Sequence, residues 1–231
     1  MKQTLNIICI VVISSVMSAT TFANSKKGVL LEVNFFPTLS AKNNTNNIVD
    51  GTSPSNEYKV VNSTGVDTRN SFSYIFGSGL LLGLTYNSFS RAESRAASSS
   101  DDKSEITDQI SAYGPSVGYA GGNWRFIYTH FISGERKHQD KQTSSAGATT
   151  FDTTNEFSDL TGYQLLIGYS FPISSWFELG TALVHQNMVF KKQAHTNALD
   201  ANDSYPEKTM PSGQQLKMSS WDPMISLLFR F

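Results

Sequence analysis

The sequence predicts an all-β fold: an eight-stranded antiparallel up-and-down transmembrane β-barrel with short turns at one end and four long loops at the other. Three observations carry this expectation. From Trp221 to Phe231 the apolar set Trp221, Pro223, Ile225, Leu227, Phe229 and Phe231 alternates with Asp222, Met224, Ser226, Leu228 and Arg230. That is the period of a strand with one wholly apolar face. The same alternation recurs along the chain, with aromatic residues near the strand ends. Beyond the first 23 residues there is no apolar stretch of about 18 residues, so a chain that crosses a membrane must cross it with strands.

Alternation places strands near 28–38, 67–77, 79–91, 107–120, 123–137, 157–172, 175–191 and 213–231. Each presents an apolar outward set, such as Leu80, Leu82, Leu84 and Tyr86, or Tyr163, Leu165, Ile167, Tyr169 and Phe171. Ten steps from Trp221 to Phe231, at about 3.3 Å each and a tilt near 40°, span roughly 25 Å of membrane normal. Tyr119, Trp124, Phe171, Trp176 and Phe231 mark strand ends beside the short turns and are expected to form a periplasmic aromatic girdle. The connections alternate in length. Gly77-Ser78-Gly79, Ala120-Gly121-Gly122-Asn123 and Pro172-Ile173-Ser174-Ser175 carry tight-turn chemistry, whereas 39–66, 92–106, 138–156 and 192–212 are long and polar and belong outside the cell. In the first of these, 56–61 reads as an upward extension of the second strand. Pro115 and Pro223 face outward within strands, where each lacks a ladder donor, so a bulge or bend is expected near both.

The amino-terminus agrees. Lys2, the apolar run Leu5 to Val16 and the small residues ending at Ala23 read as a secretory signal peptide over 1–23, leaving 24–231 as one β-barrel domain. The 231-residue chain carries 18 basic and 19 acidic residues, and loss of Lys2 with the leader makes the balance one unit more negative. Neither a nucleic-acid surface nor a polybasic membrane patch is indicated. Cys9, the one cysteine, lies in the leader, and the four histidines are scattered, so no disulfide, metal site or cofactor is expected.

The positions opposite the apolar stripes face the interior and include Asn34, Ser71, Ser73, Thr85, Asn87, Ser116, Thr129, Gln164, Ser170 and Asp222. Four inward charges, Glu32, Arg125, Glu178 and Arg230, lie near the periplasmic strand ends and are expected to meet as a buried ion-pair cluster. Leu30, Phe36, Ile75, Leu81, Phe131, Leu166, Val184, Met224 and Leu228 also point inward, which favours a packed interior over a water channel. Chemistry is thin. His130, Ser133 and Glu135 come closest to a hydrolytic set, but alternation turns His130 and Ser133 to opposite faces, and His185 reads as a girdle residue.

The terminal strand, with Ile225, Leu227, Phe229 and Phe231 on one face, resembles the carboxy-terminal sorting signal of Gram-negative outer-membrane barrels. That resemblance implies the outer membrane as location and the barrel assembly machinery as a partner, beside membrane lipid and lipopolysaccharide. The architecture of nearly the whole chain after the leader is similar to the small eight-stranded barrels that include OmpX, OmpW and the OmpA membrane domain, and it carries over no residue roles. The expectation is a non-enzymatic envelope scaffold or surface-contact protein acting through its extracellular loops. A narrow channel for small hydrophobic molecules, as the OmpW likeness implies, and a lipid A-modifying enzyme are the alternatives. A soluble lipocalin-type barrel is the structural rival, and it would need neither aromatic bands nor a terminal Phe.

Overall fold

The computed structural model describes residues 27–37, 58–97, 103–144 and 146–231. The expected leader and residues 39–57 of the first loop lie outside the described residues. Ten strands form: β1 (Gly28–Pro37), β2 (Tyr58–Ile75), β3 (Leu80–Ala97), β4 (Lys103–Gly121), β5 (Trp124–Phe131), β6 (Ser133–Thr143), β7 (Thr149–Pro172), β8 (Phe177–Asn197), β9 (Tyr205–Thr209) and β10 (Leu216–Arg230). All pairings are antiparallel. Around the sheet the order is β1, β2, β3, β4, then β5 continued by β6, then β7, β8 and β10, and β10 returns to β1. Eight strand positions therefore make an up-and-down ring, with β9 as an extra strand beside the far end of β8. The ring closes through its two chain ends: Val29 and Phe231 exchange backbone bonds of 2.9 Å in both directions.

Period-two alternation decides which side of the ring each residue sees. In β5 the pattern is unbroken: Trp124, Phe126, Tyr128 and His130 are exposed, while Arg125, Ile127, Thr129 and Phe131 are buried. Leu30, Ile75, Leu81, Leu166, Val184, Met224 and Leu228 pack with Ile127 in one apolar cluster inside the ring. Ile110, Phe131, Leu160, Met188 and Phe190 form a second cluster. One residue expected inside is not there: Phe36, beyond the last β1–β10 pair at Phe35 and Ile225, is 38% exposed.

Much of what reads as long loop is strand. β2 begins at Tyr58, β3 runs to Ala97 and β4 starts at Lys103, while β6 and β7 extend along the third segment and are tied at their tips by the Ser144–Ala148 backbone bond of 2.8 Å. The fourth segment holds the end of β8, a short 3-10 turn at Ala201–Asp203, and β9. These hairpins have polar residues on both faces, so hydrophobicity does not alternate along them. Their ladders are held by backbone bonds and cross-strand polar pairs such as Arg136–Asp108 and Gln139–Asp152.

The expected fifth strand, 123–137, is broken at Ile132. Between the pairs Ser116–Thr129 and Tyr113–Ser133, β4 advances three residues and its partner four. Pro115 explains the slip. Tyr113 turns its carbonyl to Ile132, at 3.1 Å, and alternation aims Pro115 at the same neighbour, to which it has no N–H to offer. Pro223 lies at a similar stop: Phe231 faces β1, so Pro223 does too, and the β1–β10 ladder ends at Ile225. The β8–β10 ladder runs past Pro223 without a register shift, so no bulge forms there.

Candidate functional site

The chemistry-bearing side chains gather inside the ring in layers. Nearest the short turns, Arg230 grips Glu178 through Nε (2.6 Å) and Nη2 (3.4 Å), and Ser170 donates to the same carboxylate at 2.6 Å. Beside this pair Arg125 donates to Glu32 with Nε and Nη2, both at 3.1 Å, and each side chain of that pair is 0% exposed. The four inward charges singled out in the sequence are thus joined as two ion pairs. Gly168 makes the second geometry available, because a Cβ there would lie 2.5 Å from Arg125 Nη2. Bidentate pairing is what a buried guanidinium requires, since an unpaired charge in such a place costs several kcal/mol.

Further from the short turns, Thr85, Ser116 and Thr129 form a closed hydroxyl triangle with sides of 2.6, 2.9 and 3.1 Å. Asn87 donates to Gln164 at 2.6 Å, and Ser226 donates to Asn34 at 2.5 Å. Next comes a network that alternation alone did not single out: Arg69, buried, pairs with Asp67 at 2.7 Å and with Asp222, which Ser220 also contacts at 2.6 Å. Its signal was present, because Asp67 and Arg69 lie four and two steps from the inward Ser71. Beyond the break at Ile132, Arg136 holds Asp108 with two bonds of 2.7 and 2.8 Å. Phase counting from β5 could not have found that pair.

The break also moves the hydrolytic candidates. Ser133 pairs with the outward Tyr113, so His130, Ser133 and Glu135 all lie on the outer face, contrary to simple alternation. No hydrogen bond joins their side chains among the described residues, and a nucleophile without its base is not a catalytic arrangement. His185 is outward, stacked on Trp221 at 4.4 Å.

On the outer face the aromatic residues fall in two groups. Near the short turns Tyr169 contacts both Trp124 and Phe171, while Trp176, Phe177 and Phe229 contact one another, and Tyr119 lies over Gly79 of the adjacent turn. Phe231 is 74% exposed there. Six to ten residues away along the strands stand Tyr86, Tyr113, Tyr163, His185 and Trp221. Among the described residues no His, Cys, Asp or Glu cluster could hold a metal ion, and no helix is long and apolar enough to cross a membrane.

At the far end of β8, Glu207 of β9 accepts from Ser158 and from Lys192, the latter at 3.1 Å. The Ser158 hydroxyl first, then the Lys192 contact, hold its carboxyl below the usual carboxylate value.

Fold and site together define a class: an antiparallel ring of eight strand positions, compatible with a β-barrel, with ion pairs inside and an apolar outer surface. A scan against protein-family models, a search of curated proteins and a search of solved structures each find no match.

Proposed function

We propose that this protein is an integral outer-membrane β-barrel whose eight strand positions cross the bilayer, whose interior is sealed, and whose long hairpins stand outside the cell as a scaffold or contact surface. The observation that carries this reading is where the charges point. Across Trp124–His130, Tyr163–Phe171, Phe177–His185 and Trp221–Phe231 the charged residues are Arg125, Glu178, Asp222 and Arg230, and every one is on the inward phase. The outward positions in those spans are apolar, aromatic, Pro, Thr or His. A water-soluble ring has no reason to expose Phe72, Leu84, Phe171 and Trp221, each at 57% or more. Lipid removes that cost, and the antiparallel ladders pair the backbone around the ring, on the β1–β10 seam as far as Phe35 and Ile225.

The sealed interior is supported by the Arg125–Glu32 bridge and the hydroxyl triangle, which occupy the ring where a pore would run. The short-turn end with Val29 and Phe231 faces the periplasm in this reading, and the far ends of the β3–β4, β6–β7 and β8–β9 hairpins stand outside the cell. The test is refolding of residues 24–231 into detergent micelles, with boiled and unboiled samples compared on a denaturing gel. A boiling-dependent mobility shift with high sheet content, and no conductance step in planar bilayers, is the expected result. A chain that folds in plain buffer with no shift overturns the membrane reading, and steady conductance overturns the sealed interior.

A further inference from the structure

Beyond the second aromatic group, two rows of outward side chains cross the strands from β3 to β8 and leave a groove of about 610 Å³ between them. In one row Ser111 stands opposite Glu135; in the next, Gln109 stands opposite Lys137 and Lys137 opposite Glu156. Tyr86 lines the side toward the apolar belt, and Glu207 reaches in from β9. The groove lies at the level of the slip at Ile132 and of Asp159, whose φ of 56° marks a second irregularity in β7. Such irregularities bend strands and re-aim side chains.

The charges in the groove select its occupant. Among the described residues, Lys137 is paired with Glu156 at 3.1 Å, Arg136 with Asp108 at 2.7 Å and the adjoining Lys192 with Glu207 at 3.1 Å, so each cation lining or adjoining the groove already has a carboxylate partner and none is set aside for a phosphate. Gln109, Ser111 and Glu135 make no side-chain hydrogen bond among the described residues. An amide, a hydroxyl and a carboxylate with free hydrogen-bonding capacity suit neighbouring sugar hydroxyls, which both donate and accept. Continuity with the belt through Tyr86 supplies the source. We propose that this groove holds the sugar headgroup of a glycolipid in the outer leaflet. The inference rests on the membrane reading above, and it names the site and the ligand class.

The probe is rough lipopolysaccharide, labelled with a fluorophore, titrated into the detergent-refolded chain, with phosphatidylglycerol as the sugar-free comparator. Ser111→Trp fills the groove, Glu135→Ala removes its free carboxylate, and Ser219→Trp on the outer face of β10 adds the same bulk elsewhere. Lipopolysaccharide binding weakened about tenfold or more by Ser111→Trp and clearly by Glu135→Ala, unchanged by Ser219→Trp, and retained after enzymatic dephosphorylation of the lipopolysaccharide is the expected pattern. Phosphatidylglycerol binding stays equal in all four proteins. Equal lipopolysaccharide binding by wild type and both groove variants overturns the site, and loss of binding on dephosphorylation overturns the sugar assignment. The unboiled mobility shift of each protein is read in parallel. Its absence in the wild type is a failure of the membrane reading itself, and its absence in Ser111→Trp alone leaves Glu135→Ala to decide.

Discussion

Arg125 and Glu32 hold each other through two 3.1 Å bonds although they stand on β5 and β1, four strands apart whichever way the ring is followed. The bridge therefore spans the ring's diameter. A pair of side chains can reach that far only because an eight-strand ring leaves an interior about two side chains wide. Both residues are fully buried, so the pair is an obstruction as well as a bond.

Removing one partner strands the other. Arg125→Met should cost about 3–5 kcal/mol in denaturant unfolding from micelles, because Glu32 is left buried and charged. Glu32→Gln combined with Arg125→Met should cost clearly less than the two single changes added together. Additive losses would show that the two groups do not interact.

Gly168 tests the same pair without touching either charge. A Cβ at this position meets the Arg125 guanidinium at 2.5 Å, while one at Gly77, in the first turn, meets nothing within 4 Å. Gly168→Ala should destabilise by about 1–3 kcal/mol, as overpacking does. Gly77→Ala should stay within about 0.5 kcal/mol in the same unfolding assay.

Phe231 adds the outermost pair to the β1–β10 seam that closes the ring. Deleting Phe231 removes both backbone bonds to Val29, each about 0.5–1.5 kcal/mol. The temperature at which the unboiled band converts to the boiled one should fall. An unchanged conversion temperature would mean that the β1–β10 seam does not limit unfolding.

Glu207 gives the far rim a pH dependence. Its folded value lies below the ordinary 4.5, so its contribution is fully present above 4.5 and is lost as pH falls through the lowered folded value. Amide exchange of β9, corrected for intrinsic rates, should lose protection in that acid window. In Glu207→Gln the protection should be lower at neutral pH and flat across the window; an identical acid profile in both proteins would assign the effect to another group.

Alternation along the sequence by itself determined the outward and inward sets where one face was apolar and the strand was paired, because a period of two leaves each residue one side to face; Phe36, beyond the last β1–β10 pair, departs from it. It also marked the three tight turns, through glycine and proline chemistry, and brought forward the four inward charges near the short turns. It did not determine the height of the hairpins. Around Lys137, His138, Gln139 and Asp140 the strand is polar on both faces, and a strand held only by its ladder leaves no hydrophobic period to read. Nor did it determine the face of Ser133, since the slip at Ile132 arises from Pro115 on the neighbouring strand and one extra residue reverses every side chain beyond it. Partner choice, Arg125 with Glu32 and Arg69 with Asp222, was decided only by closure of the ring, which brings together residues 93 and 153 positions apart in the chain. Local sequence fixes the phase of a strand, but distance across a ring exists only once the ring has closed.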